Sequence, residues 1–380
     1  MSHLQRHLAI AGAWGYIGRK FLDAARALEW RVSVFDPAPQ PSDVRLQDVE
    51  CLKDEETFLA LEADLFHLAL HPEARERALH RLLARDGVAI LNEKPMAAPQ
   101  RPQDCSRLLQ QLGQSHASPP PILLFDFPEV FDPVTTRILH FLDGFDQVRV
   151  DEIGIQRSKD REARDNPRNT KRMVHIQYQE TVHCFAFVLR LLGHLHGCPE
   201  AILDQGIQVH AWADHYDPPN PADYETMVDG KTTYDIRLGS TRMHGWTDFK
   251  AGAPSTKRRV IRGQGDGSGW EIEVEFLEGA KRLVIDGVDQ QVNPAGSSYE
   301  GVLRTYADWL DETPEQLMTS TRFPNAPFAH LTYQLSSLLW RSSFEGRELI
   351  VSTTQDLLAF DAGFDDAQPS FGRYGAGEMT

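Results

Sequence analysis

"HLAIAGAWGYIGRKFLDAARALEWRVSVFD", residues 7–36, decides the fold. Its first six residues are a short apolar run ending in glycine, the pattern of a buried strand. Ile17, Phe21, Leu22, Ala25 and Leu28 then recur at helical spacing, and "WRVSVFD" (30–36) reads as a second strand. Strand, helix and strand in about 30 residues make one β-α-β unit. The join Gly12-Ala13-Trp14-Gly15-Tyr16-Ile17-Gly18 is spaced GxxGxxG, with Ala13 where a GxGxxG loop has its first glycine. Such glycines let the backbone turn tightly and approach a pyrophosphate, while the helix N-terminus offers N–H groups and a favourable dipole. Asp36 closes the second strand 18 residues beyond Gly18. A carboxylate there accepts both ribose hydroxyl hydrogens and repels a 2′-phosphate. The pattern predicts a site for NAD in preference to NADP, contacted by Gly12, Trp14, Gly15, Tyr16, Ile17, Gly18 and Asp36.

The alternation continues. "ADLFHLAL" (63–70) is a strand, Pro72 opens the helix "PEARERALHRLLAR", and Gly87–Asn92 is a strand. "PQDCSRLLQQLG" (102–113) is a helix and "ILLFDF" (122–127) a strand. This predicts an α/β, doubly wound parallel sheet of the Rossmann type. Ligands sit at the carboxyl ends of its strands, which adds Leu70 and His71 to the cofactor contacts. In "GVAILNEKPMAAP" (87–99), Glu93, Lys94 and Pro95 stand at such an end, where none of them helps the sheet. The competing reading is a solvated surface pair.

With 380 residues the chain is long enough for two domains. A net charge of -16 counts against nucleic acid or an anionic membrane as partner. No apolar run approaches the roughly 20 residues of a membrane span, and the N-terminus lacks a signal-peptide core. Cys51, Cys105, Cys184 and Cys198 form no CxxC pair, so reduced thiols in a cytoplasm are expected, with no disulfide framework and no metal.

From about residue 129 the segments lengthen and alternate: "QVRVDEIGIQR" (147–157), "GIQVHAWA", "TTYDIRLG", "MHGWTDF", "KRRVIRG", "WEIEVEF" and "RLVIDG". They predict a large open, mostly antiparallel sheet, half exposed on one face. The helix "RMVHIQYQETVHCFAFVLRLLG" (172–193) interrupts it, with Gly193 as its expected stop. Gln179, Glu180 and His183 share a face at helical spacing. The expected domains are 1–128, 129–351 and a C-terminal extension, 352–380, that hugs the surface or is partly disordered.

Together these features resemble the glucose–fructose oxidoreductase / inositol dehydrogenase / MocA family over roughly residues 5 to 352. The resemblance rests on Glu93-Lys94-Pro95 at its usual distance from the glycine loop, supported by Phe131-Asp132-Pro133 and by "LLWRSSFEGRELIV" (338–351). It implies that Lys94 is catalytic, hydrogen-bonding the reacting oxygen beside the nicotinamide and passing a proton. Glu93 would pair with Lys94 or touch the nicotinamide ribose. The family's helix carries an aspartate four residues before a histidine. His183 fits the histidine, and Gln179 stands in the aspartate's place, where it can hold neither proton nor charge. Glu180 is one position along and aimed differently. The open sheet implies a homodimer or homotetramer, since an apolar sheet face needs cover.

The implied activity is hydride transfer between nicotinamide and a hydroxyl or carbonyl of a sugar, cyclitol or related polar metabolite. A redox-neutral, NAD-retaining glycosidase or epimerase and a non-catalytic NAD-binding regulator are the alternatives. Extended short-chain dehydrogenases share the glycine spacing, but the only Tyr-xxx-Lys pair here is Tyr16 with Lys20, inside the loop. Residues 157–172 hold seven cations against three acids, and "KRRVIR" (257–262) adds four more. Arg168 and Lys171, with Glu180, are candidate substrate contacts in a loop that clamps an anion. The bland alternative is a solvated loop paired with acidic neighbours.

Overall fold

The structure is a computed structural model. It describes residues 5–42, 48–70, 72–99, 101–115, 117–160, 174–216, 228–250, 255–292, 297–310 and 314–364. Its contacts divide the chain into two compact units: Met1–Pro133 with Gly296–His330, and Val134–Ala295 with Leu331–Thr380. By these contacts residues 296–330 group with the first unit and residues 331–380 with the second, whereas the sequence reading placed its boundaries after 128 and after 351.

The first unit holds six strands: β1 (His7–Ala11), β2 (Arg31–Phe35), β3 (Val49–Cys51), β4 (Leu65–Leu68), β5 (Ala89–Asn92) and β6 (Ile122–Phe125). Their order is β3-β2-β1-β4-β5-β6, all parallel. β1, β4, β5 and β6 are buried along their whole length. That explains why they read as apolar runs, since helices cover both faces of such a sheet. The order reverses direction between β1 and β4, the switch point where doubly wound sheets bind ligands. The short β3 carries no sequence signal.

The second unit holds β7 (Val148–Ser158), β8 (Ile207–His215), β9 (Asp229–Leu238), β10 (Thr241–Asp248), β11 (Lys257–Gly265), β12 (Ser268–Glu275), β13 (Arg282–Ile285), β14 (Val288–Asp289) and β15 (Leu349–Val351). They form one sheet in the order β14-β13-β12-β11-β7-β10-β9-β8-β15. Every pairing is antiparallel except β7 with β10. One face carries Val209, Ile236, Met243, Ile261 and Ile272, all fully buried. The outward face differs from the apolar surface expected. Cross-strand ion pairs line it, among them Arg242–Asp235, Arg258–Glu273 and Arg262–Glu271, each at 2.6 Å. The cations of "KRRVIR" therefore belong to β11: Arg258 and Arg262 are answered by acids on the next strand, and Arg259 is fully buried. Among large apolar side chains on this face, Trp212 and Ile350 are exposed.

The long helix of this unit also departs from expectation. Gln177–Thr181 is π-helical, and the α-helix runs Val182–His196. It continues through Gly193 and ends at Gly197, which has φ 89°. Gly193 is there for packing: a Cβ on it would lie 2.8 Å from Pro199 Cδ. The C-terminal segment is packed as far as Phe364, whose buried ring lies 4.5 Å from that of Trp340 and 5.2 Å from that of His175. The rest of the tail lies outside the described residues.

A buried carboxylate ties the start of this helix to the sheet. Gln177 Nε2 donates to Asp229 Oδ2 (2.9 Å), and the Nδ1 atoms of His175 and His215 lie 3.3 Å from its two oxygens. Burial opposes the charge of Asp229, but the bonds from His175, His215 and Gln177 outweigh it and hold the carboxyl well below its usual range. The bond to Asp229 in turn raises His215, against a smaller opposing effect of burial. Asp229→Asn should destabilise the chain by about 2–3 kcal/mol at neutral pH. The lowered folded value means this contribution is present above the free carboxylate's pKa of about 4, and is lost as pH falls through the folded value in strong acid. The raised His215 acts oppositely: its share is full below about 6.5 and is lost as pH rises through its folded value. Urea melts of wild type and D229N across pH 3–9 measure the His215 share and the onset of the Asp229 loss at the acid end. Equal stability at neutral pH would refute the account.

Candidate active site

The carboxyl ends of β1, β2, β4 and β5 are neighbours in the first sheet, and most of the expected cofactor contacts fall on that edge. Gly12 has φ 81°, and a Cβ on it would lie 2.5 Å from Ala69 O. A Cβ on Gly18 would lie 2.2 Å from Gly12 O. Both glycines are therefore demanded by the chain itself. Gly15 is not. Its Cβ would meet only Gly12 O, at 3.4 Å, and the residue is exposed. It is the N-cap of the Tyr16–Ala27 helix, has no side chain to cap with, and is followed by no acid in the first turn. An uncapped, acid-free helix start under an unneeded glycine fits a pyrophosphate. Asp36 accepts from the N–H of Trp14 (2.8 Å) and of Ala38 (2.9 Å), so the same carboxylate expected to read the ribose also ties down the glycine loop. Tyr16 is exposed, Ile17 and Leu70 half-buried.

At the end of β5 the solvated pair is ruled out for Glu93, which is buried. His67 Nε2–H, from β4, donates to Glu93 Oε1 (3.2 Å). Arg75, on the Pro72–Leu83 helix and 2% exposed, donates to Pro95 O. Burial works against the Glu93 charge. The His67 hydrogen bond and the charges of His67, Lys94 and Arg75 outweigh it and hold the carboxyl below its ordinary range. Burial pushes the Arg75 guanidinium down to about 10, with Glu93 opposing. Lys94 is half-buried beside this group.

In the second unit, His183 is buried near the start of the Val182–His196 helix, and Gln179 is half-buried in the π-turn before it. Glu180 is committed elsewhere. Its Oε2 accepts from Arg157 (2.8 and 3.0 Å) and its Oε1 from Lys159 (3.2 Å). That removes Glu180 as a stand-in for the missing acid. It also gives the bland reading to the two cations that open the basic segment. Arg168, Lys171 and His71 lie outside the described residues.

Neither a family model nor a curated protein matches the sequence. Solved structures do. The chain is similar to a myo-inositol dehydrogenase from Corynebacterium glutamicum at 14% identity and a TM-score of 0.66, covering 92% of this chain and 99% of that one. This chain has the glucose–fructose oxidoreductase / inositol dehydrogenase / MocA fold. A transcriptional regulator, Gal80p from Kluyveromyces lactis, is similar at 14% identity and a TM-score of 0.65, over 93% of this chain and 95% of that one. A super-repressor mutant of Gal80p from Saccharomyces cerevisiae matches at 12% identity and a TM-score of 0.69, over 94% and 100%. The glucose–fructose oxidoreductase fold thus comes with a dehydrogenase and with a regulator among its similar structures. Among the described residues no helix is long and apolar enough to cross a membrane, and no cluster is suited to hold a metal ion.

Sequence reasoning missed His67 and Arg75, and placed Asn92 at the ligand end of its strand without giving it a role. Asn92 is fully buried at the end of β5, and neither its Oδ1 nor its Nδ2 has a hydrogen-bond partner. Each sits inside a segment that reads plainly as strand or helix. For His67 and Asn92 the available signal was a polar residue at the end of, or within, a strand otherwise buried on both faces; Arg75 offered none.

Proposed function

We propose that this chain is an NAD-dependent oxidoreductase acting on a hydroxyl or carbonyl of a sugar, cyclitol or related polar metabolite. The observation that carries the reading is Lys94 at the end of β5, on the sheet edge that also bears the uncapped glycine loop. The N–H groups of the Gly12–Gly18 loop would hold the pyrophosphate, Asp36 the adenosine ribose, and Leu70, Glu93 and Lys94 the nicotinamide end. Bound there, the dinucleotide supplies a hydride acceptor or donor. The Lys94 ammonium hydrogen-bonds the reacting oxygen, stabilises its developing negative charge and passes its proton. His183 is the candidate acid/base group of the second unit, since an imidazole nitrogen can accept or donate a proton. Gln179 orients by hydrogen bonding and exchanges no proton. We assign the open face of the nine-stranded sheet to assembly of two or four copies, and the protein to the cytoplasm.

A second reading is favoured by Gln179 and by the likeness to Gal80p: an NAD-binding regulator without turnover. Fluorescence titration with NADH and NADPH, followed by a polyol panel read at the reduced-cofactor absorbance, separates the two. NADH should bind at least about tenfold tighter than NADPH, and Asp36→Ser should narrow that gap. Tight NADH binding with no turnover on any polyol favours the regulator. No binding of either cofactor overturns both readings.

A further inference from the structure

β4 reads Leu65-Phe66-His67-Leu68, and every one of its residues is buried. A histidine in such a strand is expensive: an apolar side chain of similar volume would fill the space without a polar group to satisfy. His67 is fully buried, packs its ring 4.0 Å from that of Phe21, and leaves Nδ1 without a hydrogen-bond partner. Its side-chain hydrogen bond is to Glu93. On the other side, buried Arg75 holds the carbonyl of Pro95. The segment Glu93-Lys94-Pro95 is therefore gripped at both ends, through the carboxylate before Lys94 and the carbonyl after it. Neither grip touches Lys94 directly. Local rules are broken in this way where a site must be held in one geometry.

We propose that His67 is a positioning residue for Lys94: its hydrogen bond to Glu93 fixes the Glu93-Lys94-Pro95 segment and so sets where the amine stands. The proposal rests on the reading of Lys94 as the proton-handling group, and its test does not need that reading's substrate. Three charged or titratable groups act on Glu93: His67 from β4, Arg75 from the Pro72–Leu83 helix, and Lys94 beside it in the chain. Without the His67 N–H, Lys94 and Arg75 alone answer the carboxylate. The amine is then drawn toward Glu93 and held more firmly in its protonated form.

The readout is modification of Lys94 by pyridoxal 5′-phosphate and borohydride, mapped by mass spectrometry on the full-length protein as a function of pH. His67→Leu should slow Lys94 labelling about fivefold near neutral pH and raise its pH midpoint by roughly half a unit or more. His67→Gln, which places an N–H at the same reach, should stay within about twofold of wild type. Should H67L not fold, His67→Asn, one bond too short to reach Glu93, takes its place with the same expectation. Unchanged labelling in H67L or H67N, or H67Q behaving like H67L, overturns the proposal. Protection of Lys94 by NADH in the wild type tests the cofactor reading separately: its absence counts against that reading and leaves the effect of His67 on labelling intact.

Discussion

Lys94→Met should lower kcat by about a thousandfold or more while leaving NADH affinity within about threefold, measured with whichever polyol the wild-type chain turns over. Methionine keeps the stem and removes the ammonium, so the packing around buried Glu93 and Pro95 survives while the proposed proton donor is lost. Lys94→Arg sharpens the result. Arginine keeps a positive charge but does not give up a proton at accessible pH. If Lys94 only stabilises charge, K94R retains part of the rate. If it transfers a proton, K94R is as inactive as K94M. Turnover in K94M above about a tenth of wild type would remove Lys94 from the mechanism. The loss should appear in kcat rather than in cofactor binding because the loop proposed to hold the pyrophosphate belongs to other residues, Gly12 to Gly18.

The first unit was legible because its signals are local. Strands buried on both faces read as apolar runs, and the glycine loop lies between a strand and a helix that each announce themselves. Lys94 stood out in the sequence for the same reason, as a charge where the sheet has no use for one. The environment of Lys94 was not. His67 and Glu93 are 26 residues apart and meet only because β4 and β5 are paired. Arg75 lies in "PEARER", which reads as a solvated helix face, yet the fold buries it. In the second unit the alternating strands were readable one by one. The π-turn at Gln177–Thr181 was not, because spacing arguments assume α-helical geometry throughout. Glycine misled in that same helix. Gly193 carries the local signal of a stop, but its reason is the approach of Pro199, a contact no helix rule contains. Glu180, adjacent to Gln179 and acidic, looked like a substitute for the missing aspartate until Arg157 and Lys159 were found to occupy it.

The glycine loop gives the second large effect, and it separates fold from ligand. Gly18→Ala would place a methyl group 2.2 Å from Gly12 O and 2.7 Å from Ala13 Cα, both backbone atoms of the turn. Neither can yield without moving β1's exit, so G18A should cost about 3 kcal/mol or more and lose NADH binding along with stability. Gly15→Ala meets a different fate. Gly15 has φ -65° and ψ 163°, a conformation alanine adopts freely, and its new methyl would touch only Gly12 O, at 3.4 Å. Its stability should therefore stay within about 1 kcal/mol of wild type. Its NADH affinity should nevertheless fall by about a hundredfold, because the methyl stands where the pyrophosphate must approach the helix start. Thermal melts and fluorescence titration of the two variants side by side decide the matter. G15A that melts like wild type and binds NADH like wild type would place the phosphate somewhere other than the Gly15 end of this helix. G15A that melts like wild type and fails to bind would show that this glycine serves the ligand alone.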